Sequence, residues 1–242
     1  MSESVPAAEP LVLTDLPLAI DRDEVLRFQG YQAGAAVGSA DVQALFEEAL
    51  ALGERLMAPR AVYRTVPAEA AGDTIRTECH AFTIPEIGRL WGSLERVGVA
   101  ICTIGDALER RVADLFDARE FPLAVMLDSV GSAATESLAE YVNDWLCQAA
   151  IPLGLKVTNR ISPGYAGWDV ADQRGLFALC PGDPAGVHLN EFCFMSPEKS
   201  ISFLVGVGRA VRVDHYFTQC RRCWMRDCAY RRVPAASTVR RQ

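Results

Sequence analysis

The chain has 242 residues, half of them apolar, and a formal net charge of −7. That supports one large core or two small ones, while the lack of any run of about 18 uninterrupted apolar residues argues against a membrane-spanning helix. An acidic pI near 5.1 makes nucleic acid a poor partner.

The opening, MSESVPAAEP, lacks a basic n-region and an apolar h-region. Residues 1–20 are therefore expected to form a disordered arm rather than a secretory signal. Eight cysteines without an export signal point to a reducing cytoplasm, with thiols free or on metal.

Residues 41–57 carry apolar side chains at helical spacing with acids opposite, which predicts an amphipathic helix. Strands are predicted at residues 61–66 and 77–84, followed by a helix from Pro85 to Leu94 with proline in its first turn. The continuous apolar run at residues 97–104 has strand length. Asp106 with Glu109 three positions later reads as a capping-box-like helix start.

A second helix is predicted over residues 132–149, with Ala134, Leu138, Tyr141, Val142 and Trp145 on one face. On its other side Glu136, Glu140 and Asp144 recur every four residues. Such a ladder is unfavourable on a bare helix; it is either a solvated face or a row that meets a cation. Beyond Pro152 the pattern changes to strands and turns. Irregular mixing of helices and strands favours an α+β fold over a doubly wound sheet.

Residues 160–165, RISPGY, form a turn: Pro163 fixes φ and Gly164 supplies a conformation that side chains disfavour. A short helix at residues 170–179 follows. Then come a strand, a polar turn at residues 196–199 and a second strand.

This order resembles the activation domain of cobalamin-dependent methionine synthase. Arg160, Pro163, Gly164 and Tyr165 match that family's turn. Gly186, Leu189 and Glu191 match its next strand, and Met195, Pro197, Ser200 and Ser202 match the turn after it. The helix AEYVNDWL is similar to the one before the turn and places Glu136 and Glu140 at acidic positions. The resemblance covers residues 125–208.

It implies a curved α+β domain around a twisted antiparallel sheet, which binds S-adenosylmethionine and docks over a corrinoid. It also implies that Arg160, Ser162, Gly164 and Tyr165 form the ligand turn, with Glu136 an acid near the ligand and Glu191 in the motif strand. Tyr165 is the candidate catalytic residue. Ala166 stands where the family has proline, and Gly154 where it has an acid. The chain lacks a D-x-H-x-x-G signature, so cobalamin is expected on a partner, either a corrinoid protein or a cobalamin-dependent methyltransferase.

Past residue 218 the chain reads QCRRCWMRDCAYRR. Cys220, Cys223 and Cys228 suit a soft metal, either an iron–sulfur cluster or zinc, or else remain unligated redox thiols. A fourth ligand must come from elsewhere. Cys193 in the motif strand is the first candidate and Cys180 the second.

Residues 21–218 are thus expected as the activation-like domain, and residues 219–242 as a basic, cysteine-rich tail packed on it. The expected function is reductive activation or remethylation of a partner's corrinoid, with the cluster relaying electrons from a flavodoxin or ferredoxin. The alternative is a non-catalytic corrinoid-protein-binding module with structural zinc. An ordinary S-adenosylmethionine methyltransferase is disfavoured because no glycine-rich strand–helix turn is present. Cys79, Cys102 and Cys147 read as small buried residues, and His80, His188 and His215 as core or surface residues.

Overall fold

The computed structural model describes residues 9–31, 38–165 and 167–214. The tail cysteines Cys220, Cys223 and Cys228 lie outside the described residues, as do Ala166 and His215. The elements in order are β1 (Leu11–Leu13), α1 (Arg22–Phe28), α2 (Ala40–Leu56), β2 (Arg60–Ala71), β3 (Thr74–Thr77), β4 (Ala81–Thr83) and α3 (Ile87–Trp91). They continue with β5 (Arg96–Thr103), α4 (Ala107–Asp117), α5 (Phe121–Ala150), β6 (Lys156–Val157), α6 (Gln173–Leu179), β7 (His188–Leu189), β8 (Met195–Ser196) and β9 (Ser200–Gly208).

An antiparallel sheet in the order β4-β3-β2-β5-β9-β6 forms the frame, with β1 added beside β2. Its central strand, β5, is apolar from Val97 to Cys102 because both faces are covered. Strand alternation divides the core in two. Ala100, Cys102, Phe203 and Val205 face α1, α2, α4 and α5. Val97, Val99, Ile101 and Leu204 face Trp91, Trp168 and α6. Each large side chain buried on either face contributes roughly 1.5–3 kcal/mol.

Several expectations are corrected. Within residues 1–20, expected as a disordered arm, Leu11–Leu13 pairs with Ala61–Tyr63 as an extra strand. The single strand expected at residues 77–84 is two: the chain turns at Glu78–His80, where Thr77 N–H donates to the His80 carbonyl. Cys79 sits on that turn and is exposed rather than buried. Helix α5 begins eleven positions before the predicted start, at Phe121 with Pro122 in its first turn. The polar stretch around Asp128 hid that start.

Asp106 makes no capping hydrogen bond; its carboxylate pairs with Arg110 instead. Glu109 accepts from the backbone N–H of Glu198 (2.7 Å) and Lys199 (3.4 Å). The strand expected over residues 186–195 is a tight β7–β8 hairpin. At its tip the Asn190 side chain accepts from the N–H groups of Phe192 (2.9 Å) and Phe194 (3.0 Å). Among the described residues, no helix is long and apolar enough to cross a membrane.

Candidate functional site

A cavity of about 320 Å³ opens where α5, the residue 160–165 turn, α6 and the start of β9 meet. Its volume lies within the ~300–1,000 Å³ range of small-molecule sites. Helix α5 contributes Ser132, Thr135 and Glu136, which share a face because they are three and four residues apart. The turn contributes Ser162, Pro163 and Tyr165, α6 contributes Gln173, and the segment into β9 contributes Glu198, Lys199, Ser200 and Ser202.

Backbone bonding fixes the turn. Ile161 exchanges both backbone bonds with Leu204, at 3.0 and 2.8 Å, which ties the turn to the sheet. Gly164, at φ +88°, occupies the left-handed region that glycine enters without penalty. Its N–H donates to the Trp168 carbonyl at 2.8 Å, while Trp168 N–H donates to the Tyr165 carbonyl at 3.0 Å. The loop is closed on itself and holds Tyr165 half exposed at the cavity.

Arg160 stands behind the turn and answers the question left by the acidic ladder. Its guanidinium donates to Glu136 at 2.6 Å and to Glu140 at 3.0 Å. Only 13% of its side chain is exposed, and the Phe203 ring lies 6.0 Å away. Burial works against its charge, but the two carboxylates outweigh burial and raise its pKa. The cation met by the ladder is therefore the chain's own arginine. Asp144 remains outside the pair; partial burial, then the Glu140 charge, pushes its carboxyl up.

The cavity's other cation is closed in the same manner. Lys199 Nζ lies 2.7 Å from Asp128 and donates to Ser132 Oγ at 3.0 Å. Ser202 donates to the Gln173 side-chain carbonyl. Asp172, next to Gln173, accepts from Trp168 Nε1 at 2.7 Å and lies 3.4 Å from His80 Nε2. By contrast, the Ser162 and Ser200 hydroxyl oxygens are buried without a hydrogen-bond partner among the described residues. Ser162 is 6% exposed. Two unpaired hydroxyls at a cavity wall can bond polar ligand atoms or water, because leaving such groups unsatisfied is unfavourable.

Of the residues singled out from sequence, Glu136, Ser162 and Tyr165 line this cavity together, with Arg160 and Gly164 shaping the wall. Glu191 is not among the lining residues. It is exposed on the hairpin, where its carbonyl accepts from Arg174. Sequence reasoning missed Lys199, Asp128 and Gln173, whose partners are distant in the chain. Ser132 and Thr135 had a signal, since they share a helical face with Glu136.

Cys193 is buried on the hairpin at φ +63°, a strained value for a side-chain-bearing residue, held by its N–H bond to the Asn190 carbonyl. Cys180 is fully buried at the C-terminal end of α6, and burial pushes its thiol up to about 12 against the pull of Arg64. Among the described residues, no three metal-ligating side chains gather.

No family model matches the chain, and no curated protein matches it. Among solved structures it is similar to the MetH reactivation domain bound to AdoHcy, with a TM-score of 0.65 and 16% identity, over 88% of this chain and 83% of that one. That likeness establishes the fold: an α+β domain with the architecture of the MetH reactivation domain.

Proposed function

We propose that the chain serves corrinoid reactivation, with the α5–turn–β9 cavity as its S-adenosylmethionine site and cobalamin carried by a partner protein. Fold alone does not assign function. The observation that carries the reading is a coincidence of place. Glu136, Ser162, Tyr165, Met195, Ser200 and Ser202, all within the segment that resembles the activation domain, line one cavity. They do so in a chain with the fold of a domain solved with AdoHcy bound.

In this reading the bound ligand supplies the methyl group, and the chain supplies position. The Gly164 turn presents Tyr165 at the cavity, where a corrinoid-bearing partner approaches. Ser162 and Ser200 offer hydroxyls to the ligand, while Arg160 holds the Glu136 carboxylate in place through its 2.6 Å ion pair.

Titration with S-adenosylmethionine and AdoHcy by calorimetry, followed by co-purification with a cobalamin-loaded methyltransferase, tests the reading. Specific ligand binding and an accelerated loss of the cob(II)alamin absorbance in the presence of reductant are expected. Absence of both effects overturns it.

The finer part of the proposal is an iron–sulfur cluster on Cys220, Cys223 and Cys228, with Cys193 as fourth ligand, which would supply one-electron transfer from a flavodoxin or ferredoxin. Cys193 is its one donor within the described residues. Iron and sulfide content with EPR spectra, measured on anaerobically purified full-length protein, decides this point. Zinc without sulfide leaves the chain as a binding module with a structural metal.

A further inference from the structure

The cavity's charges are arranged unusually for a site that would hold an amino-acid zwitterion. Lys199, the one cation among the described lining residues, and Arg160 behind the wall are both already taken. Arg160 is shared between Glu136 and Glu140, and Lys199 is held by Asp128 and Ser132; each has a side chain 13% exposed. A ligand carboxylate could recruit either one only by displacing a charge-assisted partner in a sheltered place, which leaves that partner's charge uncompensated. Meanwhile Glu136 and Glu198 line the cavity, and Glu140, Asp128 and Glu109 stand behind them. The acids exceed the bases, so the local potential favours a positive ligand.

A second, independent feature points to a ligand. The Ser162 hydroxyl is nearly fully buried at the cavity wall and has no partner among the described residues. It is neutral and can serve ligand hydroxyls or ring nitrogens, as can Ser200, but neither compensates a carboxylate's charge.

We propose that this cavity recognises the positive charge of a sulfonium ligand and that its described residues hold no receptor for the ligand's carboxylate. The inference rests on the S-adenosylmethionine reading above and sharpens it. The adenosyl sulfonium is what binds, and the carboxylate stays in solvent at the mouth. Removing the carboxylate raises the ligand's net charge by one and removes a repulsion from Glu136 and Glu198, so affinity is held or improved. Removing the sulfonium charge loses the attraction.

Calorimetric titration of the full chain with S-adenosylmethionine, decarboxylated S-adenosylmethionine and AdoHcy reads these differences directly. The decarboxylated compound is expected to bind as tightly as S-adenosylmethionine or more tightly, and AdoHcy about tenfold more weakly. Glu136→Gln should bring S-adenosylmethionine down towards AdoHcy while leaving AdoHcy binding unchanged, with thermal melting confirming that the variant folds. The wild-type series stands by itself if the variant does not fold.

A loss of more than threefold on removing the carboxylate overturns the proposal, as does equal binding of S-adenosylmethionine and AdoHcy. If none of the three compounds binds, the function reading fails and this inference fails with it. Binding of S-adenosylmethionine with the wrong order of affinities sinks the charge inference alone.

Discussion

Arg160 is the residue on which the cavity wall depends. It neutralises two carboxylates that face each other one helical turn apart on α5. Glu140 is 57% exposed, so water screens that half of the pair, while Glu136 is sheltered. Replacing Arg160 by alanine should therefore cost up to about 3 kcal/mol, below the full penalty for breaking a buried pair. Urea denaturation measures it, and Arg160→Lys should recover only part because a single ammonium cannot bridge both acids with a planar fork.

Asp144 should behave in the opposite sense. Burial, then Glu140, raises its carboxyl pKa in the folded state, so the folded chain holds that proton more tightly than the unfolded chain does. Its ionised form is thus a liability at neutral pH. Asp144→Asn should stabilise by a few tenths of a kcal/mol at pH 7. The gain should vanish as pH falls through the carboxyl's range, where Asp144 is already neutral; paired melts at pH 7 and near pH 4 would show it.

Thiol chemistry gives a third residue-scale outcome. Burial pushes Cys102 up to about 12 despite Arg160, and Cys180 likewise. Both should resist iodoacetamide in the native state while exposed Cys79 reacts, as read site by site by peptide mass spectrometry.

At the level of elements, α6 is pressed against the β3–β4 turn more closely than any side chain permits. A Cβ on Gly175 would lie 2.5 Å from the His80 ring and 2.8 Å from Phe82. The same small helix carries Gln173 to the cavity, and Asp172 just before it reaches His80 and Trp168. Gly175→Ala should cost about 1–3 kcal/mol by forcing the helix outward. It should also weaken ligand binding, because Gln173 moves with the helix.

The elements differ in how far their sequences disclose them. Helix α2, strand β5 and the apolar face of α5 are set by local periodicity and are readable. The β7–β8 hairpin is not, because its reversal comes from Asn190 bonding two backbone N–H groups, in a stretch whose Phe192 and Phe194 suggest a strand yet are each 70% exposed. The closed cations are invisible for a different reason: Lys199 meets Asp128, and Arg160 meets Glu136, only once β9 and the turn are laid across α5.

The cavity's position makes it a fastener for the whole molecule. Phe28 on α1 and Ser132, Thr135 and Glu136 on α5 belong to one side of the sheet, and Gln173 on α6 to the other, with β9 between them. A ligand seated there touches elements of both cores and binds only when both are assembled. Its binding energy therefore adds to global stability instead of protecting a local segment.

At a concentration one hundred times its dissociation constant, a single ligand adds about 2.7 kcal/mol. For a chain of this length each kcal/mol moves the melting temperature by roughly 2–4 °C, so a rise of about 5–10 °C is expected with S-adenosylmethionine. Scanning calorimetry should show one transition moving as a unit. If only a late part of the melt shifts, the two cores unfold separately and the cavity does not join them. If nothing shifts at saturating ligand, the site is not where S-adenosylmethionine binds.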